Sequence, residues 1–137
     1  SKKQISSLIK LLQYLSRKYR ISAKDIIGHS DIAPNRKKDP GEKFPWQKLA
    51  TKNLCVWHNL SMKELYNNRK LQTNNYEENI FFKNLYSIGY LRPQKIKYKK
   101  NRVNLIKAFQ RKFRQNLING KIDQECLLIS KNLLKFI

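Results

Sequence analysis

The sequence predicts a small α/β segment followed by an all-α unit of three helices. Apolar residues recur at helical spacing from Lys3 to Tyr19, and a short β-branched run, Ile26-Ile27-Gly28-His29, comes soon after. Residues 30–46 then break into turn formers. From Glu77 onward three further apolar stripes have the period of a helix.

Taken in order, Ile5, Leu8, Ile9, Leu12, Leu15 and Tyr19 line one face of an amphipathic helix. Arg17, Lys18 and Arg20 suit its negative C-terminal end. Ser22 to Asp25 read as a turn. The run at 26–29 is expected as a buried strand, being β-branched and too short for a helix. Asp31, Pro34, Asn35, Asp39, Pro40, Gly41 and Pro45 are expected to exclude regular structure over residues 30–46, and so long an irregular stretch is unusual unless the loop has a task. A short helix is expected from Trp46 to Thr51. Residues 52–76 are polar, with Asn67, Asn68, Asn74 and Asn75 indicating a linker. Ile80, Phe81, Leu85 and Ile88 form the next helix, closed by Gly89. Val103, Leu105, Ile106, Phe109 and Phe113 form another, and Asn119-Gly120 turns the chain into a last one, capped by Asp123.

The chain has 137 residues, room for one ordinary domain or two very small ones. Its 30 Lys and Arg against 9 Asp and Glu leave a net charge of +21. Such a charge attracts any polyanion, nucleic acid and acidic polymers alike, and a Lys-, Asn- and Ile-heavy residue usage would produce it equally well. No zinc-finger spacing, RNP-type aromatic signature or basic zipper accompanies it. The densest basic cluster, Lys95 to Lys100, is expected as a solvated loop. No run approaches the roughly 18 apolar residues of a membrane span, and the first residues lack a signal-peptide pattern. The two cysteines, Cys55 and Cys126, make neither a disulfide framework nor a zinc ribbon.

His29 and Asp39 carry the chemistry of the irregular stretch. An imidazole and a carboxylate are both common zinc ligands, and a loop can fold them onto one ion. Lys37 could bring a fixed positive charge to the same point, with the prolines limiting the loop's freedom. Spacing alone leaves a second reading open, a structural histidine beside a turn aspartate. His58, the other histidine, is expected to be exposed or to pack rather than ligate, and Cys55 to be buried and inert.

The run Gly28-His29-Ser30-Asp31-Ile32-Ala33-Pro34-Asn35-Arg36-Lys37-Lys38-Asp39-Pro40-Gly41, continued by Phe44-Pro45-Trp46-Gln47, closely resembles the zinc-dependent N-acetylmuramoyl-L-alanine amidases of the type-2, AmpD/AmiD-like superfamily. Ser87-Ile88-Gly89-Tyr90, Ala108 to Arg114 and Asn119 to Asp123 resemble the peptidoglycan-binding domain that follows the catalytic domain in AmiD-like enzymes. The resemblance implies that His29 and Asp39 are metal ligands for Zn2+, and that Lys37 is a catalytic residue stabilising the oxyanion. The bond cleaved would join the lactyl group of N-acetylmuramic acid to L-alanine. It also implies a first zinc histidine and an acidic general base upstream of His29, where this sequence offers only Asp25 and no histidine. Asn35 stands where the family usually has Gly, and Cys126 where the binding domain usually has Thr.

The expected organisation is therefore an α/β remnant of an amidase domain at 1–58, a linker at 59–76 and a peptidoglycan-binding-like domain at 77–137. Peptidoglycan or a muropeptide is the expected partner, with an N-terminal half of the same enzyme as a further one, and no specific nucleic acid. The expected compartment is the bacterial envelope or periplasm, with the cytoplasm as the alternative. A non-catalytic wall-binding protein is the competing function, followed by a basic nucleic-acid-binding protein.

Overall fold

A computed structural model describes residues 1–93 and 97–137. Seven α-helices follow one another among these residues. They are α1 (Lys2–Tyr19), α2 (His29–Ile32), α3 (Trp46–Ala50), α4 (Met62–Asn68), α5 (Asn75–Ile88), α6 (Tyr98–Phe113) and α7 (Gln124–Leu133). Short 3₁₀ turns at Ala23–Asp25 and Leu134–Phe136 complete the regular structure.

The expected strand at residues 26–29 does not form, so the first part is helical rather than α/β. The β-branched residues do hold an extended backbone, with Ile26 at φ −90°, ψ 100° and Gly28 at φ −87°, ψ 157°. A strand, however, exists only as part of a ladder, and none lies beside this segment among the described residues. At Gly28 the Asp31 carboxylate accepts the backbone N–H, 2.8 Å away, and the chain turns directly into α2, so the start of the stretch expected to be irregular is helical before Pro34. The sole β-type pairing among the described residues is an isolated antiparallel bridge between Gln72 and Asp123.

The later helices follow their sequence signals. Asn74 and Glu77 cap α5 reciprocally, each side chain bonding the other's backbone N–H at 2.9 Å. At the other end Gly89 takes φ +116°, and the N–H groups of Gly89 and Tyr90 return to Tyr86 and Leu85 in a Schellman motif. Asp123 caps α7 by accepting from Cys126 N–H at 3.0 Å. The 119–120 turn is held from within, because the buried Gln110 amide accepts from the N–H groups of Asn119 and Gly120 and donates to the Lys121 carbonyl. Part of the basic cluster, Lys95 and Ile96, lies outside the described residues, and Tyr98 to Lys100 already belong to α6.

Two apolar cores result. The larger gathers Phe81, Leu85, Leu105, Phe109, Ile129 and Leu133 from α5, α6 and α7. The smaller holds Trp46, Leu49, Leu54 and Cys55, with Ile9 and Leu12 of α1 resting on it. Trp57 packs against both and meets Phe113 with ring centroids 5.5 Å apart. The segment between the units carries α4, capped reciprocally by Ser61 and Glu64. Behind it Arg69 forks onto buried Glu125 with two 2.8 Å bonds, and Arg114 pairs with Asp123 beside it.

Candidate metal site

His29 opens α2 and Asp39 lies in the loop that folds back over it. The Ser30 N–H donates to the Asp39 carbonyl at 2.8 Å, which brings the two positions together. Gly28 makes the return possible: a Cβ there would stand 2.7 Å from the Pro40 ring and 3.1 Å from Trp46. The side chains then meet, with His29 Nδ1 3.1 Å from Asp39 Oδ2. Both remain about half open to solvent, at 50% and 64% exposure.

The Asp39 carboxyl titrates below its ordinary value of 3.8. The bond from its own backbone amide is the largest cause and outweighs partial desolvation, and the hydrogen bond and charge of His29 and the charge of Lys37 add to it. Lys37 is carried close by the turn in which its N–H donates to Ala33 at 2.9 Å.

The pair has the spacing of two zinc ligands. Two bonds of about 2.0–2.1 Å at a near-tetrahedral angle place their donor atoms about 3.3–3.4 Å apart. The observed pair at 3.1 Å, open on one side, fits two such ligands. No group of three or more His, Cys, Asp and Glu converges among the described residues. His58 is buried away from the pair, stacked on Trp57 with centroids 5.1 Å apart. Cys55 donates its thiol to the Trp46 carbonyl, and burial pushes its pKa up to about 11.

Asp31 is near in sequence yet is not free to ligate. It is buried, and three donors occupy it: Gly28 N–H at 2.8 Å, Tyr90 Oη at 2.8 Å and Lys112 Nζ at 3.1 Å. Burial, then the charge of Asp31, drives the Tyr90 hydroxyl well above its usual pKa, so it stays a donor. Sequence spacing gives no sign of this cluster, whose partners lie 59 and 81 positions downstream. A cavity of about 580 Å³ lies beside it, walled by Ile26, Ile27, Ile32 and Val56; His29 and Asp39 do not line it.

Comparison with known proteins gives the same region. Residues 1–42 match the family model described as N-acetylmuramoyl-L-alanine amidase. The chain is 34% identical to N-acetylmuramoyl-L-alanine amidase AmiD of Escherichia coli (strain K12) over 133 residues, covering 96% of this chain and 48% of that protein. It is 47% identical to 1,6-anhydro-N-acetylmuramyl-L-alanine amidase AmpD of Enterobacter cloacae over 46 residues, covering 34% of this chain and 25% of that protein. Among solved structures, E. coli AmiD in complex with the substrate anhydro-N-acetylmuramic acid-L-Ala-D-γ-Glu-L-Lys superimposes with a TM-score of 0.80 at 32% identity, over 97% of this chain and 51% of that one. AmpDh3 from Pseudomonas aeruginosa, in complex with anhydromuramic pentapeptide, gives 0.81 at 26% identity over 99% and 53%. The chain spans about half the length of these AmiD and AmpDh3 relatives. With the GHSDIAP and DPG…FPW residues disposed around His29 and Asp39 as described, the chain is similar over nearly its whole length to about half of an AmpD/AmiD-like N-acetylmuramoyl-L-alanine amidase.

Proposed function

We propose that this chain forms part of a zinc-dependent amidase that hydrolyses the amide between N-acetylmuramic acid and L-alanine in peptidoglycan fragments. The observation that carries the reading is the His29–Asp39 pair, 3.1 Å apart and open to solvent, on a loop that also brings Lys37. His29 and Asp39 would hold zinc, which supplies a Lewis acid and a water of lowered pKa when bound. The Lys37 ammonium meets the negative charge that develops on the amide oxygen during attack. The remaining ligand and the general base come from outside the described residues, since Asp25 is the sole acid before His29 and no histidine precedes it.

Residues 1–58 belong to the catalytic part and 77–137 form a helical unit that engages the wall, with a substrate carrying several carboxylates suiting the net charge of +21. The envelope or periplasm is where such a substrate is met.

An anhydromuramyl-peptide assay with zinc tests this, followed by release of the L-alanine amine. Hydrolysis is expected when the chain is combined with a polypeptide supplying the first histidine and acidic base of an AmiD-like enzyme, and not from the chain alone. Absence of turnover in every such combination, with binding to insoluble peptidoglycan retained, would favour a wall-binding protein instead. A DNA shift that survives about 150 mM salt where wall binding does not would end the envelope reading.

A further inference from the structure

We propose that Tyr90 and Lys112 of the helical unit are positioning residues for the metal loop, acting through Asp31 on the peptide that carries His29. The proposal rests on the reading of His29 and Asp39 as zinc ligands.

Asp31 Oδ2 accepts from both Gly28 N–H and Lys112 Nζ, while Oδ1 takes the Tyr90 hydroxyl. The ammonium and the amide just before His29 therefore share one oxygen. Both charged partners are almost fully enclosed, at 8% and 7% exposure, so neither can exchange the other for water. Gly28 is the residue from which His29 enters α2, and the next N–H, that of Ser30, fixes the Asp39 carbonyl. Where Asp31 holds Gly28 thus decides where both ligand side chains begin.

The contact reaches the far end of the loop as well. Lys112 Nζ stands 4.5 Å from the Trp46 ring centroid, at the start of α3. Elsewhere on the same loop, Asn104 of α6 donates to the Asn35 side chain at 3.0 Å, and Gln115, just past α6, donates to the Phe44 carbonyl at 2.8 Å. α6 is accordingly a splint along the loop, and Tyr90 is aimed at it by the Schellman turn at Gly89.

Zinc titration, against a chromophoric chelator, of the full chain combined with a polypeptide supplying the first histidine tests this, with thermal unfolding measured on every variant. Tyr90→Phe and Lys112→Met are expected to weaken zinc binding about 10–100-fold, the scale of losing an outer partner of a metal ligand. Arg69→Met breaks the pair that Arg69 makes with buried Glu125 of the helical unit, which does not include Asp31, and is expected to leave zinc affinity unchanged. In an Asp31→Asn background, Tyr90→Phe is expected to add no further loss.

Wild-type affinity in both Tyr90→Phe and Lys112→Met would overturn the proposal, as would an equal loss in Arg69→Met, which would mark a merely structural effect. If Lys112→Met fails to fold, Tyr90→Phe, which loses one oxygen and keeps the ring, decides alone. His29→Ala separates the two layers. If it abolishes binding while Tyr90→Phe and Lys112→Met do not weaken it, the splint alone is wrong; if it leaves binding intact, the amidase reading falls and the splint with it.

Discussion

Gly28, His29, Lys37 and Asp39 divide the proposed work of the candidate site between shape and charge. Gly28 has an ordinary negative φ, so what excludes a side chain there is space, the Pro40 ring standing where a Cβ would go. Gly28→Ala is expected to destabilise the chain by about 1–3 kcal/mol through overpacking, read as a lower urea midpoint with an unchanged slope. Lys37→Ala should keep zinc and lower turnover of the reconstituted enzyme by a factor on the order of 10²–10³, the loss of one oxyanion-stabilising group; unchanged turnover would remove Lys37 from the mechanism. The approach of Asp39 to His29 is legible in the sequence because the motif is contiguous and its neighbours are local. Asp31 is not, because a carboxylate's surroundings depend on chain segments far away, here Tyr90 and Lys112.

The helices are legible where periodicity and caps agree. α5 has an apolar stripe, a reciprocal Asn74–Glu77 cap and Gly89 at its end, so each signal names the same boundaries. The strand at 26–29 does not form because β-branched residues specify an extended backbone while a neighbouring strand specifies a sheet, and only the first is written locally. α4 reads as linker in the sequence because its Asn residues mask a Ser61–Glu64 cap and one buried Leu65. Gly89→Ala isolates backbone strain at this level. Nothing lies within 4 Å of the added Cβ, so the positive φ of +116° is the whole cost. A loss of about 1–2 kcal/mol is expected, seen as a lower melting temperature, and an unchanged one would show that the α5 exit can readjust.

Two cores joined through Trp57 make the molecule respond to pH through His58. Desolvation lowers its pKa below 6.5, against smaller contributions from Glu125 and the Phe113 backbone. The folded state thus holds the ring neutral while the unfolded chain takes up a proton. Stability from this source is full above pH 6.5 and is lost as pH falls from there through the lowered folded value. Glu64 and Glu77, also lowered, add a separate loss only below their ordinary 4.5. Urea unfolding across pH should therefore weaken in two steps, and His58→Phe should flatten the upper one; a slope unchanged by that variant would place its origin elsewhere.

The net charge of +21 and the absence, among the described residues, of any helix long and apolar enough to cross a membrane frame the surface. They do not choose the substrate, which the proposed function assigns to the loop of His29 and Asp39. Calorimetric zinc titration of the chain combined with a polypeptide supplying the first histidine tests that assignment most directly. In that reconstituted form zinc is expected to bind with the native sequence and to be lost in both His29→Ala and Asp39→Ala, each of which removes one proposed ligand. Native affinity in either variant would contradict the assignment of the site.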